Sequence, residues 1–163
     1  MSDLANHPVA ELLKLHGNVM NELRHRGVTR SANNPSGDYG ELLFSRAFGW
    51  DLEANSAAGY DAKDGQGARY QIKCRRLTAA NPSRQLSFIR NLPNQPFDVL
   101  AGVLLEPSYR VKRAALIPVG IVQQHATYVA SVNAWRFLLR DRVWDLPGVE
   151  DVTERLRATE ISL

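Results

Sequence analysis

Two apolar runs constrain this chain most: Phe97–Leu105, and Arg113–Val122 with a break at Pro118. Neither alternates cleanly between apolar and polar side chains, so both read as buried strands rather than strands with one wet face. Buried strands need other elements packed over them, and helical patterns precede and follow these two. The expected class is therefore α/β or α+β around one sheet. At 163 residues the chain is the length of a single domain, residues 1–163.

The clearest helix lies at the start. Val9, Leu12, Leu13, His16, Val19, Met20 and Leu23 recur at helical spacing, Pro8 suits the first helical position after an Asn6 or His7 cap, and Gly27 stops it. This predicts an extra N-terminal helix over about 8–26, with His16 and His25 on its surface rather than acting as ligands. Residues 30–37 read as a loop from their Asn, Pro, Ser and Gly content. A second helix should begin at Ser36 or Asp38 and end at Phe48 before Gly49, with Tyr39, Leu42, Leu43 and Ala47 as its apolar stripe and Glu41 beside it. Short strands are expected at Trp50–Ala54, Gly59–Lys63 and Ala68–Arg75, with a hairpin turn at Asp64–Gly67. Residues 77–96, with three prolines, read as irregular. A strand at Trp135–Leu139 and a helix at Val149–Arg157 make a C-terminal unit over about 133–158.

Composition removes several classes of function. Apolar residues at 44% allow a real core, and no run of about 18 apolar residues exists to cross a membrane. The first residues lack a basic stretch leading into an apolar one, so the expected location is cytoplasmic. One cysteine, Cys74, rules out a disulfide framework and an all-cysteine zinc site, and reads as a small buried apolar group. No Gly-x-Ser-x-Gly or paired Cys/His context suggests a nucleophilic hydrolase. Gly65-Gln66-Gly67 lacks the Lys-Ser/Thr and helix of a phosphate loop, so no nucleotide cofactor is expected. Sixteen of the 20 basic residues are arginine, and residues 83–144 carry eight basic groups against three acidic ones. That excess suits a polyanion, since Arg reads phosphate with two parallel hydrogen bonds; codon bias in a GC-rich genome is its other source.

In Arg69-Tyr70-Gln71-Ile72-Lys73-Cys74-Arg75, alternation sends Tyr70, Ile72 and Cys74 to one face and Arg69, Gln71, Lys73 and Arg75 to the other. If the hairpin loop is the three residues Gly65–Gly67, Asp61 lies opposite Gln71 on that polar face; a two-residue loop would put it on the wrong side. Glu41 lies on a helix that must pack on this sheet. Glu41, Asp61, Gln71 and Lys73 thus have a route to one place. Asp38-x-x-Glu41 has a second reading as a capping box, in which Glu41 only satisfies the helix start.

Gly40-Glu41, Gly59-Tyr60-Asp61 and Tyr70-Gln71-Ile72-Lys73 together resemble the core of the PD-(D/E)xK nuclease superfamily, the restriction-endonuclease-like fold. Gln71 in place of the usual second acid is most similar to the Mrr-like branch with its Gln-x-Lys variant. The resemblance covers residues 37–76 by motif and implies an α/β fold with a central mixed sheet flanked by helices and a catalytic core of about 37–125. It implies a Mg²⁺- or Mn²⁺-dependent DNA endonuclease whose catalytic residues are Glu41, Asp61, Gln71 and Lys73. Asp61 would be the principal metal ligand, with Glu41, the Ile72 carbonyl and the Gln71 amide oxygen as further donors. Lys73 would orient the attacking water and stabilise charge on the phosphate. Losing one carboxylate to Gln71 should weaken metal binding.

Arg75 and Arg76 are expected to hold neighbouring phosphates. Arg30, Asn33 and Asn34 in the loop before the helix, and Arg84 and Arg90 after the strand, complete the candidate nucleic-acid contacts. Trp135, Trp144 and Phe137 read as packing residues rather than base-stacking ones. A chain this small has little room for a separate recognition module, and cutting both strands would call for a homodimer. The rival expectation keeps the fold and drops turnover: a nuclease-derived DNA-binding or interaction module.

Overall fold

A computed structural model describes residues 4–54 and 59–163. Among these, six strands form one mixed sheet in the order β1-β2-β3-β4-β5-β8. They are β1 (Asp51–Leu52), β2 (Ala62–Lys63), β3 (Arg69–Arg76), β4 (Val99–Leu105), β5 (Val111–Pro118) and β8 (Glu150–Asp151). β3 runs parallel to β4, and every other pair is antiparallel. Four helices accompany the sheet: α1 (Val9–His25), α2 (Ser36–Phe48), α3 (Val119–His125) and α4 (Thr153–Ile161). A two-stranded ribbon, β6 (Thr127–Val129) with β7 (Ala134–Arg136), completes the fold. No described helix is long and apolar enough to cross a membrane.

The unbroken apolar character of β4 has a direct cause. Leu100 and Leu104 enter one core with Leu86, Ile89, Phe97, Ile117, Phe137 and Leu139. Ala101, Val103 and Leu105 enter a second core with Leu43, Phe44, Ile72 and Leu156, beneath α2 and α4. A strand covered on both faces cannot alternate. The covering layers differ in kind. Helices cover one face, whereas the irregular crossover 77–98, α3 and the ribbon cover the other.

α2 is fixed to β3 by aromatic and small residues together. Trp50 stacks on Phe44 and on Tyr70, with ring centroids 5.7 and 3.7 Å apart. Gly40 lets the helix approach so closely that a Cβ there would lie 2.8 Å from the Cys74 Cβ. Gly49 ends the helix in the left-handed region, at φ 69°.

The expected boundaries shift where a proline or a strand pairing intervenes. Val119–Val122 is helical instead of continuing the strand, because Pro118 has no amide hydrogen for the ladder and readily precedes a first helical turn. The C-terminal helix starts at Thr153, not Val149, because Glu150 and Asp151 pair with β5 and Asp151 then accepts from the Thr153 amide at 3.0 Å. The strand expected at Trp135–Leu139 ends at Arg136, though Phe137 and Leu139 are fully buried. α1 follows its expected span closely but gives neither core a buried residue. Val9 and Leu13 are 73% and 67% exposed, so its apolar stripe marks a helix without marking a core contact.

The close approach at Gly40 gives a stability test. Gly40→Ala should lose about 1–3 kcal/mol in urea unfolding, because α2 must lift from β3. Gly37→Ala, on the same helix but with open space around it, should be neutral or gain about 0.5–1 kcal/mol.

Candidate functional site

The hairpin register comes first, because it decides where Asp61 lies. Ala62 pairs with Tyr70 and Lys63 with Arg69. The Asp64 amide donates to the Ala68 carbonyl at 3.2 Å, which leaves Gly65–Gly67 as a three-residue loop. Asp64 Oδ1 accepts from the Gln66 and Ala68 amides, each at 2.9 Å, and Gly67 takes the positive φ of 87° that such a loop needs. The ladder ends there: Asp61 lies outside it, with its amide on the carbonyl of the Tyr70 already paired with Ala62, so the expected pairing of Asp61 with Gln71 does not form.

At Asp61 the side chain takes over from the ladder. Its amide donates to the Tyr70 carbonyl at 2.8 Å, while its Oδ2 accepts the Ile72 amide at 2.7 Å. Peptide groups alternate in direction along a strand, so the Ile72 carbonyl faces the same side as its amide, into the gap where β2 has ended. Gln71 Nε2 donates to the Gly59 carbonyl at 3.3 Å, and its Oε1 is buried with no hydrogen-bond partner among the described residues. Gly59 has φ 83°, and a Cβ there would lie 2.7 Å from the Pro96 side chain, so no larger residue fits that turn.

Lys73 follows on the face of Gln71, across from Gly102 of β4. Burial pulls its ammonium below the ordinary lysine value, opposed by the charges of Asp61 and Glu41. Burial also raises the Asp61 carboxyl above the ordinary aspartate value, against the Ile72 amide and the charges of Lys73 and Arg30. Glu41 is raised by burial too, against its bond and charge pairing with Arg30. These mutual influences place Glu41, Asp61, Lys73 and Arg30 in one electrostatic neighbourhood.

Arg30 closes that neighbourhood from the loop before α2. Its Nη2 donates to Glu41 Oε2 and its Nη1 to the Glu53 carbonyl at 3.0 Å. The Arg30 and Ser31 amides both donate to Asp38 Oδ2, at 2.8 and 2.9 Å. Both acids of the expected capping box are thus turned to the 30–31 loop, and neither caps α2. The start of α2 is instead served by Asn34, whose Oδ1 accepts from the Ser36 amide at 3.0 Å and the Ser36 hydroxyl at 2.8 Å.

Three of the other arginines named as phosphate contacts have partners within the protein. Arg75 bonds the Ser83 carbonyl and Asn81 Oδ1. Arg76 bonds the Pro107 carbonyl and lies over the Tyr109 ring. Arg84 bonds Asp141 at 2.7 Å. Asn33 and Arg90 are exposed. Sequence reasoning gave Arg30 to the nucleic acid and missed its pairing with Glu41, for an 11-residue separation across a loop carries no periodic signal.

The donor set suits a small hard cation. It comprises two carboxylates, an unpartnered amide oxygen and a peptide carbonyl, all oxygen ligands of the kind Mg²⁺ takes alongside water. Among the described residues no three His, Cys, Asp or Glu side chains gather, so two carboxylates is the full acidic complement. No protein-family model matches the sequence, and no curated protein is found similar to it.

The burial of these acids sets a pH dependence in chelated buffer. Folding raises the Asp61 and Glu41 values, so the folded state holds more protons just above the ordinary carboxylate range and stability falls as pH rises through it. Asp61→Asn still accepts the Ile72 amide but cannot ionise. Its unfolding free energy should fall less than that of wild type between about pH 4 and about pH 7, as read from urea titrations.

Proposed function

We propose that this chain is a divalent-metal-dependent DNA endonuclease built on a restriction-endonuclease-like core. The observation that carries the reading is the hairpin register. It ends β2 at Ala62, so that the Asp61 carboxylate reaches the Ile72 amide and Lys73 stands one step further along β3 under the charges of Asp61 and Glu41. An antiparallel β1-β2-β3 meander followed by β4 parallel to β3 supports such a core within residues 37–125.

Asp61, Glu41, the Ile72 carbonyl and the Gln71 amide oxygen would hold Mg²⁺ or Mn²⁺. When bound, the ion supplies Lewis acidity and lowers the pKa of a coordinated water. Lys73 contributes a largely buried ammonium, which orients the attacking water and stabilises charge growing on the phosphoryl oxygens. The water oxygen, its proton released to solvent, would bond to phosphorus as the opposite phosphorus–oxygen ester bond breaks in line, and the leaving oxygen would take up a proton from solvent. Gln71 provides an oxygen donor without charge, which weakens the hold on the ion. Asn33 and Arg90 remain open to DNA, and cutting both strands of a duplex takes two copies of the chain.

One pair of observations favours a second reading, a nuclease-derived module that binds DNA without cutting. Gln71 stands where an acid is usual, and Arg30 already neutralises Glu41. Plasmid nicking separates the two. With Mg²⁺ or Mn²⁺ the wild type should convert supercoiled plasmid to open circles, chelator should abolish the conversion, and Asp61→Ala and Lys73→Ala should each lose about 10²–10³-fold. Equal nicking by all three proteins would assign it to a contaminant and leave the binding module.

A further inference from the structure

Outside the Asp61–Lys73 neighbourhood the protein carries a concentration of positive charge. Beside the β6–β7 ribbon is a recess of about 380 Å³ lined by His125, Thr127, Arg136, Arg140 and Arg142. Its wall has no carboxylate. None of the three guanidinium groups makes a hydrogen bond or ion pair among the described residues.

The local fold explains why these cations lie together. Thr127 and Arg136 are partners in the ribbon register, so their side chains stand next to each other on one face. Trp135, alternating with Arg136, packs the other way against the core. The chain then runs to Asp141, whose Oδ1 accepts from Arg84 at 2.7 Å and from Arg113 at 2.9 Å. That double tether uses up Asp141, and Arg140 and Arg142 flank it; Asp145 ends the same turn without an ion pair to either among the described residues. Arg84 and Arg113 are neutralised, while Arg136, Arg140 and Arg142 are not.

Three uncompensated guanidinium groups around one concavity repel each other, and an anion placed among them relieves that repulsion. Planar, forked donors match phosphate oxygens in particular, and Thr127 adds a hydroxyl donor. The volume suits a phosphate with its attached sugar rather than a bare ion. We propose that this recess is a phosphate-binding site that grips the backbone of a nucleic acid, and this assignment of the phosphate rests on the nuclease reading above. It takes the backbone without regard to sequence, since no base-reading geometry is required.

The test is duplex binding by fluorescence anisotropy in chelator, across a series of salt concentrations, with a labelled duplex of about 20 base pairs. Each phosphate contact contributes about 0.9 to the slope of log affinity against log salt. Arg136→Ala, Arg140→Ala and Arg142→Ala should each weaken binding and flatten the slope by about 1. Arg110→Ala, at an exposed turn elsewhere, should change neither, and Arg142→Lys should keep most of the slope. Circular dichroism melts establish that the variants fold. Unchanged affinity and slope in all three alanine variants would overturn the inference. So would saturable binding of inorganic phosphate, seen by NMR and lost in Arg136→Ala, if duplex affinity ignored the same substitution. Because the assay contains no metal, it is indifferent to cleavage. A wild type that binds through the recess but never nicks plasmid sinks the nuclease reading alone, and a nicking enzyme whose recess variants bind normally sinks the recess alone.

Discussion

The Asp61 carboxylate on the Ile72 amide is the contact on which the site depends. Backbone pairing between β2 and β3 is short, with Ala62 and Lys63 as the paired residues of β2. Beyond them a side-chain oxygen takes the place of a strand carbonyl and holds β3 at 2.7 Å. This substitution opens the sheet just where Gln71, the Ile72 carbonyl and Lys73 need room. A fully paired β2 would satisfy the same amide and close the gap. The loop residues Gly65–Gly67 matter for this reason: with one fewer, period-two alternation would carry Asp61 to the opposite face, into the layer of Ile72 and Cys74.

Elements whose identity comes from local chemistry were legible in the sequence. α2 shows its apolar stripe and its Gly49 stop, and β4 shows an apolar run that two cores explain. The Asp64–Gly67 turn could be read from its Gly and Asp content, but the position of Asp61 could not, because the ladder ends at Ala62 and the Asp61 amide turns to the Tyr70 carbonyl. What escaped reading was decided between distant segments. Val119 is helical because Pro118 interrupts the ladder, and Thr153 starts α4 because Glu150 and Asp151 find β5 across more than 30 residues. The stripe on α1 met the spacing rule without finding a core, since periodicity reports a face and not what covers it.

Arginine function was the least legible feature, and the physical reason is reach. A guanidinium on its long stem can find a carbonyl or carboxylate many residues away, so sequence neighbours say little about its partner. Arg75 and Arg76 lie next to the Gln71–Lys73 strand segment, yet they fasten loops at 81–83 and 107–109. Arg136, Arg140 and Arg142 lie far from that segment in sequence and carry no internal partner among the described residues. The basic excess of residues 83–144 is real, but its useful part is the fraction left over after Asp141 has drawn in Arg84 and Arg113.

The same accounting of charge explains why Gln71 and Arg30 belong together. Burying carboxylates is expensive unless cations accompany them, and the pairing must come from the chain itself whenever no ion is present. Three acids at this position would face Lys73 and Arg30 with one negative charge uncovered. With Gln71, the two carboxylates Asp61 and Glu41 are matched by those two cations, and the neighbourhood is formally neutral within the protein. Neutrality lets the gap beside β3 form without a metal ion. It also leaves an orphaned amide oxygen rather than a third buried charge as the price. The neutral amide of Gln71 and the arginine on the helix glutamate are therefore one adjustment, made at two ends of the same site.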